Sequence, residues 1–399
     1  MAGLPRLRVL HLGKFYPPVS GGMERVLQLL CEREKTEVDT RVLVAGTGRS
    51  TVREMVDGVA VTRVANVGFA GSVAVCPSLP LWLSRERADV IVIHEPNPMG
   101  LVAYALARPA GRLIVWFHSE VVRDRWKYAL MYRPWLAHAM RRASRVIVAS
   151  PPMADAGQLR GFHIRTEVIP YGVDQRRLER SPDVAARETR LRASHPGPLI
   201  LFVGRLVPYK GLTVLLRAMV DVPATAVLVG DGPQRGALEA LARDLGIASK
   251  VVFAGEVDEA GLTAWYHACD LFVLPSTTRA EAFGVVQTEA MACGKPVVST
   301  ALPSGVPWVN RDGETGLVVP PEDARALAAA LSRLAGDAGL RQQMGERGRQ
   351  RVLAEFTADR MASRAVQLYR DVMSEPAGGL PIAARITAGV PAASEVDVP

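Results

Sequence analysis

The sequence predicts an α/β protein with two doubly wound domains that face a central cleft. Three observations predict this fold class. Short β-rich runs alternate with helical patterns along the chain, as in parallel sheets covered by helices. Several runs are almost continuously apolar, as in strands buried on both faces. A polar stretch interrupts the pattern near the middle, and 399 residues exceed what one ordinary core holds.

The predicted strands divide into two sets. The first half contributes five runs: LRVLHLG, TRVLVAG, DVIVIHE, RLIVWFH and RVIVAS. The second half contributes six runs: PLILFVG, TAVLVG, KVVFAG, DLFVLPS, KPVVST and TGLVVP. Helical patterns separate the second set at 212–220, 234–245, 259–268, 284–293 and 323–335. Ligands of doubly wound domains bind beyond the carboxyl ends of the strands, so functional residues are expected in the loops that follow strands.

These patterns predict five segments. The first domain covers 1–174, a charged linker covers 175–197, and the second domain covers 198–356. Helical segments are expected at about 338–355 and 358–374, and the segment 357–374 is expected to cross back to the first domain. The tail 375–399 is rich in Ala, Gly and Pro without periodicity, so it is expected to be disordered.

Composition narrows the class of protein. Hydrophobic residues make up 49% and charged residues 22%, which indicates a globular chain. The sequence shows neither an apolar run of about 18 residues nor a signal-peptide pattern, so a cytoplasmic location is expected. The four cysteines are far apart and form no CxxC motif, so we expect reduced core thiols rather than a metal site or a disulfide; they are Cys31, Cys76, Cys269 and Cys293.

The net charge of +8 suggests an anionic partner. The sequence lacks a basic-aromatic recognition motif, so no nucleic-acid partner is expected. Residues 123–145 contain seven Lys/Arg, one acid and four aromatics. A basic helix with Trp126, Tyr128 and Trp135 suits an anionic membrane surface, which would place the protein at the inner face of the cell membrane. The alternative is a solvated helix face with the aromatics in the core.

Two loops carry groups suited to phosphate. Gly21 and Gly22 precede a helical pattern after the first strand, so bare amides and the positive end of the helix are expected to face the cleft; a plain turn is the alternative. Arg205 and Lys210 lie between a strand and a helix. A guanidinium fork and a mobile ammonium together suit a diphosphate, although two surface cations would give the same pattern.

Two glutamates flank the start of another helix in EAFGVVQTE, residues 281–289. A continuous helix would separate Glu281 and Glu289 by about 12 Å, whereas glycoside hydrolases need carboxylates about 5 to 9.5 Å apart. The pair is therefore expected to hold separate parts of one long ligand. The amides of Phe283 and Gly284 would face an anion between the two carboxylates. A sugar nucleotide has this order of groups.

Taken together, these motifs resemble the retaining GT-B glycosyltransferases of family four. The E-x7-E motif, GRLVPYKG, GDGP, FAGEV and GETGLVVPPED match in the second half, and GGMER, WFHSE and PYGVD match in the first. The resemblance covers about residues 7–374. It implies the GT-B fold, in which two Rossmann-like domains face a central cleft.

The resemblance also implies roles for particular residues. Glu281 would bind hydroxyls of the transferred sugar and Glu289 the ribose, while Arg205 and Lys210 would hold the diphosphate. His118 would lie beside the transferred sugar. The catalytic set is therefore His118, Arg205, Lys210 and Glu281. The donor-binding set is Gly21, Gly22, Gly255, Glu256, Val257, Phe283, Gly284, Val285 and Glu289.

For the reaction, the resemblance implies front-face attack with retention and no cofactor or metal. The run from WFHSE to VIVASP, with SGVPWVN later, resembles bacterial envelope mannosyl- and rhamnosyltransferases. This resemblance implies a GDP-sugar donor of mannose or rhamnose, with UDP-glucose or UDP-galactose as the alternative. A saccharide or lipid-linked acceptor of the cell envelope is expected. An NAD-dependent oxidoreductase is disfavoured because GxGxxG is missing. A non-catalytic nucleotide-sugar-binding protein is disfavoured because the whole residue set is present.

Overall fold

The computed structural model describes residues 6–19, 21–71, 73–121 and 128–376. Within these residues, two separate parallel sheets carry the two halves of the chain, as the sequence predicts. Helices cover both sheets. The GT-B class of two Rossmann-like domains is confirmed.

The first sheet has eight strands. In chain order the strands of the first half are β1 Arg8–Leu12, β2 Asp39–Ala45, β3 Val52–Val56, β4 Val59–Val64, β5 Phe69–Ala70, β6 Val73–Ala74, β7 Val90–Glu95, β8 Arg112–Phe117, β9 Ala143–Val148 and β10 Thr166–Val168. The sheet order is β10-β9-β8-β7-β1-β2-β4-β3, and β5 pairs with β6 separately. The five predicted runs form β1, β2, β7, β8 and β9.

The first sheet departs from parallel pairing at one edge. Strand β3 pairs with β4 in the antiparallel direction. Asp57 and Gly58 join them with φ values of 48° and 78°, which is the backbone of a two-residue hairpin turn. An exposed antiparallel hairpin therefore ends a sheet whose other pairs are parallel.

Helices pack around this sheet. The helices of the first half are α1 Gly22–Glu34, α2 Leu79–Arg85, α3 Pro98–Ala107, α4 Arg133–Arg142 and α5 Pro151–Ala154, with a π-helical turn at Tyr128–Tyr132 before α4. Helix α3 begins where Asn97 accepts a hydrogen bond from the amide of Gly100, a standard N-cap.

The second sheet has six parallel strands in the order β13-β12-β11-β14-β15-β16. Its strands are β11 Leu199–Val203, β12 Thr225–Val229, β13 Val251–Gly255, β14 Leu271–Leu274, β15 Val297–Thr300 and β16 Gly316–Val319. This is the 3-2-1-4-5-6 order of the dinucleotide-binding fold. All six predicted runs form strands. The order switches direction beside β11, so the loops after β11 and β14 border the crevice.

Nine further helices follow in the described part of the chain, and those that the sequence predicted lie close to their predicted positions. They are α6 Pro182–Ser194, α7 Leu212–Ala218, α8 Arg235–Asp244, α9 Glu259–Ala268, α10 Val285–Ala292, α11 Val306–Val309, α12 Ala324–Gly336, α13 Ala338–Glu355 and α14 Ala358–Ser374. Short 3-10 turns occupy Gln175–Leu178, Pro208–Lys210 and Ala248–Lys250. The charged linker contains α6, a helix that the sequence did not predict although Ser181 caps it and Pro182 opens it.

The last helix, α14, packs on the first domain. The Tyr369 hydroxyl of α14 donates to Glu34 of α1 at 3.3 Å, and Arg370 bonds Glu37 at 2.9 Å. Glu375 was expected to open a disordered tail, but its carboxylate accepts hydrogen bonds from the buried Arg145 of β9, one of them at 3.1 Å. Residues 377–399 of that predicted tail lie outside the described residues.

Aromatic rings fill the junction of the two domains. Tyr171 meets Phe283 edge-on with ring centroids 4.9 Å apart. Phe283 also contacts Phe356 at 6.0 Å, and Phe356 contacts Trp308 at 5.6 Å. The junction behind the cleft is therefore a continuous apolar core.

The cysteines are all free thiols, as expected. Cys31, Cys76 and Cys269 are buried and Cys293 is half-buried. Burial raises the pKa of Cys269 to about 11, so its thiol keeps its proton at neutral pH.

Candidate functional site

Side chains of both domains meet across the cleft between the two sheets. Arg25 of α1 contacts Glu289 of α10 at 3.3 Å. Glu120, beyond β8, contacts Arg279 of the loop after β14 at 3.0 Å. The cleft therefore brings residues of the GGMER and WFHSE segments to the E-x7-E segment.

Lys210 and Glu281 form a tight ion pair in the second domain. The Lys210 Nζ atom lies 2.5 Å from Glu281 Oε2, and both side chains are 11% exposed. The Ser276 hydroxyl donates to the same carboxylate oxygen at 3.0 Å. Burial has the largest single effect and would lower the pKa of Lys210, but the Glu281 charge, the nearby Tyr209 and the hydrogen bond to Glu281 together raise that pKa above its ordinary value. The lysine is therefore charged and held beside the carboxylate.

The loop that carries Lys210 has a fixed shape. Gly211 has φ 70°, and a Cβ there would overlap the carbonyl oxygen of Pro275. The Lys210 ammonium lies against Gly204, 3.6 Å from the position that a Cβ would take there. Arg205 is next in the chain, and its side chain is exposed. The loop thus buries Lys210 and leaves Arg205 at the surface, although both residues were predicted to bind the diphosphate.

Glu289 is buried and bonded on both oxygens. The Tyr266 hydroxyl donates to Oε2 at 2.7 Å, while Oε1 faces Arg25. The Glu289 charge raises the pKa of Arg25. The predicted site residues did not include Arg25. It lies one turn after Gly21 and Gly22, which places it at the end of α1 that faces the cleft.

The turn between the two glutamates is built for close packing. Phe283 is buried, and Gly284 has φ 71° with only 2.5 Å between a would-be Cβ and Leu274. Helix α10 begins at Val285. Gln287 donates a side-chain hydrogen bond to the carbonyl of Phe283 at 2.6 Å, which holds this turn in place.

The two glycines of the first domain differ in their surroundings: a Cβ at Gly21 would overlap the Glu24 carboxylate, whereas Gly22 borders open space. Gly21 is the extended N-cap of α1, and both Gly21 and Gly22 are exposed. No heavy atom lies within 4 Å of the position of a Cβ at Gly22. Lys14 follows β1 on the same edge, where burial lowers its pKa and the nearby Glu24 opposes that shift. Sequence reasoning missed Lys14, although it comes two residues after the end of a strand.

His118 lies at the end of β8, and both of its ring nitrogens are engaged. Its Nε2 atom is 2.8 Å from His94 Nδ1, and its Nδ1 atom is 2.7 Å from the Tyr171 hydroxyl. Burial lowers the pKa of His118 to about 3, so the imidazole is neutral. A hydrogen bond from this ring to a ligand would have to replace one of these two bonds.

Gly255, Glu256 and Val257 of the predicted donor-binding set lie at the end of β13 and directly beyond it. Gly255 has φ 70°, and its carbonyl accepts a hydrogen bond from the amide of Gly230 at 2.7 Å. Glu256 and Val257 are exposed. This segment lies two strands from β11, at the same edge of the sheet as the Lys210 loop.

An open space lies between the domains, beside the loop that carries Glu281. It is a cavity of about 330 Å³, within the usual range of small-molecule sites. Four charged residues line it, together with apolar and hydroxyl side chains; they are Glu120, Asp155, Arg160 and Arg279. Because Glu120 and Arg279 neutralise each other, the walls offer both donors and acceptors without a strong net charge.

The basic segment 123–145 is only partly described, because 122–127, with Trp126, lie outside the described residues. In the part that follows, Trp135 is 37% exposed, Leu130 73% and Met131 65%. Tyr132 is buried. The alternative that put all the aromatics in the core is therefore wrong for Trp135. No helix of the described residues is both long and apolar enough to cross a bilayer.

Two family models match the chain. The model for Glycosyltransferase Family 4 matches residues 20–177, and that for Glycosyl transferases group 1 matches residues 187–351. Together they cover both domains.

Relatives match over nearly their full lengths. The D-rhamnosyltransferase WbpZ of Pseudomonas aeruginosa is 32% identical over 88% of this chain and 93% of its own. The O-antigen chain mannosyltransferase C of Escherichia coli is 28% identical over 92% and 99%. The structure of HepE from Anabaena in complex with UDP has a TM-score of 0.74 at 22% identity, covering 92% of this chain and 100% of HepE; this likeness concerns the fold. The chain therefore belongs to the GT-B glycosyltransferases of family four.

Proposed function

We propose that the protein is a retaining glycosyltransferase that transfers mannose or rhamnose from a GDP-sugar to a saccharide or lipid-linked acceptor of the cell envelope. One observation carries the proposal. Glu281 and Glu289 are buried at the two ends of the segment 281–289, with Lys210 paired to Glu281 and Arg25 of the other domain paired to Glu289. A nucleotide sugar has a diphosphate with a hydroxyl-bearing ring on either side. The Lys210 ammonium suits the diphosphate, and the carboxylates of Glu281 and Glu289 suit the hydroxyls of the two rings.

The sugar is proposed from the relatives. WbpZ is named as a D-rhamnosyltransferase, and the Escherichia coli relative as an O-antigen chain mannosyltransferase. The base is less constrained, because HepE, which shares the fold, was solved with UDP. UDP-glucose or UDP-galactose is therefore the alternative donor.

In the proposed mechanism, the acceptor hydroxyl attacks the anomeric carbon from the face that the leaving diphosphate departs from. The bond from that carbon to the diphosphate oxygen breaks as the glycosidic bond forms, and the hydroxyl proton passes to the departing diphosphate. Lys210 and Arg205 stabilise the negative charge that grows on the diphosphate, since stabilising developing charge is usually the largest contribution to catalysis. Glu281 then binds hydroxyls of the hexose and Glu289 those of the ribose. Because two side-chain cations supply the positive charge, the proposal includes neither a metal nor a cofactor.

We place the acceptor in the 330 Å³ cavity. The cavity adjoins the loop that holds Glu281, so an acceptor hydroxyl there would be next to the hexose. Its mixed carboxylate and guanidinium lining suits sugar hydroxyls, which donate and accept hydrogen bonds.

The test is incubation with GDP-mannose, GDP-rhamnose, UDP-glucose and UDP-galactose plus acceptor saccharides, with nucleotide release and the anomeric configuration of the product measured by NMR. The proposal expects release from one GDP-sugar, an α-linked product from an α-linked donor, and unchanged turnover in EDTA. An inverted product would refute the mechanism. Nucleotide binding without turnover of any donor would favour the non-catalytic alternative.

We further propose that the face bearing Trp135, Arg141 and Arg142 rests on an anionic membrane. The exposed aromatic and aliphatic side chains beside exposed arginines have the composition of an interfacial surface. The variant Arg141→Gln/Arg142→Gln is expected to sediment less with vesicles rich in phosphatidylglycerol. Its control, Arg217→Gln/Arg243→Gln, removes two exposed charges of the second domain. Equal sedimentation of the two variants would contradict the proposal.

A further inference from the structure

A chain of buried side chains runs from His118 through the first sheet to helix α1. His118 Nε2 lies 2.8 Å from His94 Nδ1, and His94 Nε2 lies 2.9 Å from His11 Nδ1. His11 Nε2 lies 2.6 Å from Glu34 Oε1. The three histidines stand on the neighbouring strands β8, β7 and β1 or directly beyond them. Each is less than 5% exposed, and Glu34 is fully buried.

At the His118 end, this series of hydrogen-bonded side chains reaches the cleft. His118 Nδ1 lies 2.7 Å from the Tyr171 hydroxyl, and the Tyr171 ring packs edge-on against Phe283 of the E-x7-E segment. The His118 ring also stacks on Trp116 at 5.8 Å with only 4° between the planes. The chain therefore links helix α1 to the turn between Glu281 and Glu289.

With Glu34 ionised and His11 neutral, only one direction of hydrogen bonding fits the three imidazoles. An ionised carboxylate only accepts, so His11 must carry its hydrogen on Nε2 and accept on Nδ1. His94 then donates from Nε2 to His11, and His118 donates from Nε2 to His94. Nδ1 of His118 is left as an acceptor, which makes the Tyr171 hydroxyl the donor.

His94 and His118 stay neutral. Burial holds the pKa of His94 well below its ordinary value, and the neighbouring His118 and His11 act in the same direction. Burial lowers the pKa of His118 to about 3. A neutral imidazole donates from one nitrogen and accepts at the other, so each ring transmits the direction set by its neighbour.

His11, Glu34 and the nearby Cys31 also have the spacing of a metal-ligand group. Two observations favour hydrogen bonding. Two ligands on a tetrahedral zinc at about 2.0 Å would lie about 3.3 Å apart, whereas His11 Nε2 and Glu34 Oε1 are 2.6 Å apart. Burial raises the pKa of the Cys31 thiol well above its ordinary value, which keeps it protonated and weakens it as a ligand.

We propose that Glu34 is a positioning residue that sets the tautomer of His118 from the far side of the sheet, through His11 and His94. The Glu34 charge fixes the hydrogen of His118 on Nε2 and thereby turns the Tyr171 hydroxyl toward Nδ1. This holds both rings in one arrangement at the cleft. The consequence for transfer rests on the proposed function, whereas the tautomer itself does not.

The first test is made on the unaltered protein. Long-range 1H–15N correlation spectra of protein labelled with 15N-histidine distinguish protonated from bare ring nitrogens, and single His→Asn variants assign the signals. We expect His11, His94 and His118 all to carry hydrogen on Nε2. Hydrogen on Nδ1 of any of the three would overturn the proposal, whatever the protein's activity.

The second test removes the charge. In Glu34→Gln the amide either donates or accepts, so the direction is no longer fixed and His118 is expected to show a mixture of tautomers. The control is Thr40→Val, which removes a 3.1 Å hydrogen bond to the same Glu34 oxygen but keeps the charge. A single Nε2–H tautomer in Glu34→Gln, or the same mixture in Thr40→Val, would overturn the proposal.

Turnover provides the last readout. For metal-bound histidines, loss of the outer partner that orients the ring typically costs on the order of 10- to 100-fold in metal affinity or activity, and this range sets the scale for His118. We expect kcat of Glu34→Gln to fall by about that factor while the Kd for nucleoside diphosphate stays unchanged, and Glu34→Asp to recover most of the loss. An altered tautomer with unchanged kcat would refute the positioning role, and equal losses in Glu34→Gln and Thr40→Val would show a merely structural one.

Discussion

Glu281→Gln separates the electrostatic and the sugar-binding roles of the Lys210–Glu281 pair. The change keeps the shape of the side chain and removes its charge. At 2.5 Å and an effective dielectric constant of about 20, the attraction is roughly 7 kcal/mol, of which desolvation offsets a part. Removing one partner of a buried pair costs about 3 to 5 kcal/mol. Since both side chains keep 11% exposure, we expect a loss of about 3 kcal/mol in the free energy of unfolding.

A bound nucleoside diphosphate should reverse much of that loss, because its phosphates give Lys210 a new counter-ion. The assay is urea denaturation with and without 1 mM GDP or UDP. Glu281→Gln should gain more from the nucleotide than the unaltered protein does, while its turnover falls at least tenfold through the lost contact to the hexose. The control Glu239→Gln breaks the half-exposed pair with Arg235 and should cost less than about 1 kcal/mol.

Two results would refute this reasoning. One is a Glu281→Gln variant that is as stable as the unaltered protein, which would show that the pair is not buried as described. The other is an equal nucleotide response in both proteins, which would show that the phosphates do not reach Lys210.

Three further predictions concern residues around the cleft. Tyr266→Phe removes the 2.7 Å bond to Glu289 and should cost about 1 to 3 kcal/mol of unfolding free energy; no loss in urea denaturation would contradict the buried contact. Burial raises the pKa of Glu95 from 4.5 to about 7. The folded state therefore binds the extra proton, and stability should fall by about 3 kcal/mol as pH rises from 4.5 to 7; Glu95→Gln should abolish this slope in denaturation measured against pH, and an unchanged slope would refute the assignment. Gly211→Ala meets a backbone oxygen, whereas Gly246→Ala has the same left-handed backbone, φ 68°, and open space. The first should lose several kcal/mol and the second about 1 kcal/mol, and equal thermal-melt losses would contradict the steric argument.

The long, strongly periodic elements were predictable from the sequence. Helices α13 and α14 match their predicted bounds, and all six strands of the second sheet were found, because buried parallel strands form continuous apolar runs. The β3–β4 hairpin was missed although Asp57-Gly58 is a strong turn signal. Strand β3 is largely exposed, and β4 alternates between buried and less buried residues, so neither strand has the continuous apolar run on which the prediction relied.

The partners of the site residues were not predictable. Arg25 meets Glu289 only because the two domains face each other, at a separation in sequence that no local pattern encodes. The His11–His94–His118 chain requires β1, β7 and β8 to be neighbours, and strand order is set by crossover connections rather than by composition. The sequence therefore predicted which side chains carry chemistry, but not which of them are already bonded to one another.

The most direct test of the central claim is a crystal structure with GDP or UDP bound. The account predicts the nucleotide in the interdomain cleft, with its phosphates within hydrogen-bond distance of Lys210 and of the Gly21–Gly22 amides, and its ribose hydroxyls on Glu289. A nucleotide bound outside the cleft, or bound there with its phosphates away from Lys210, would contradict it.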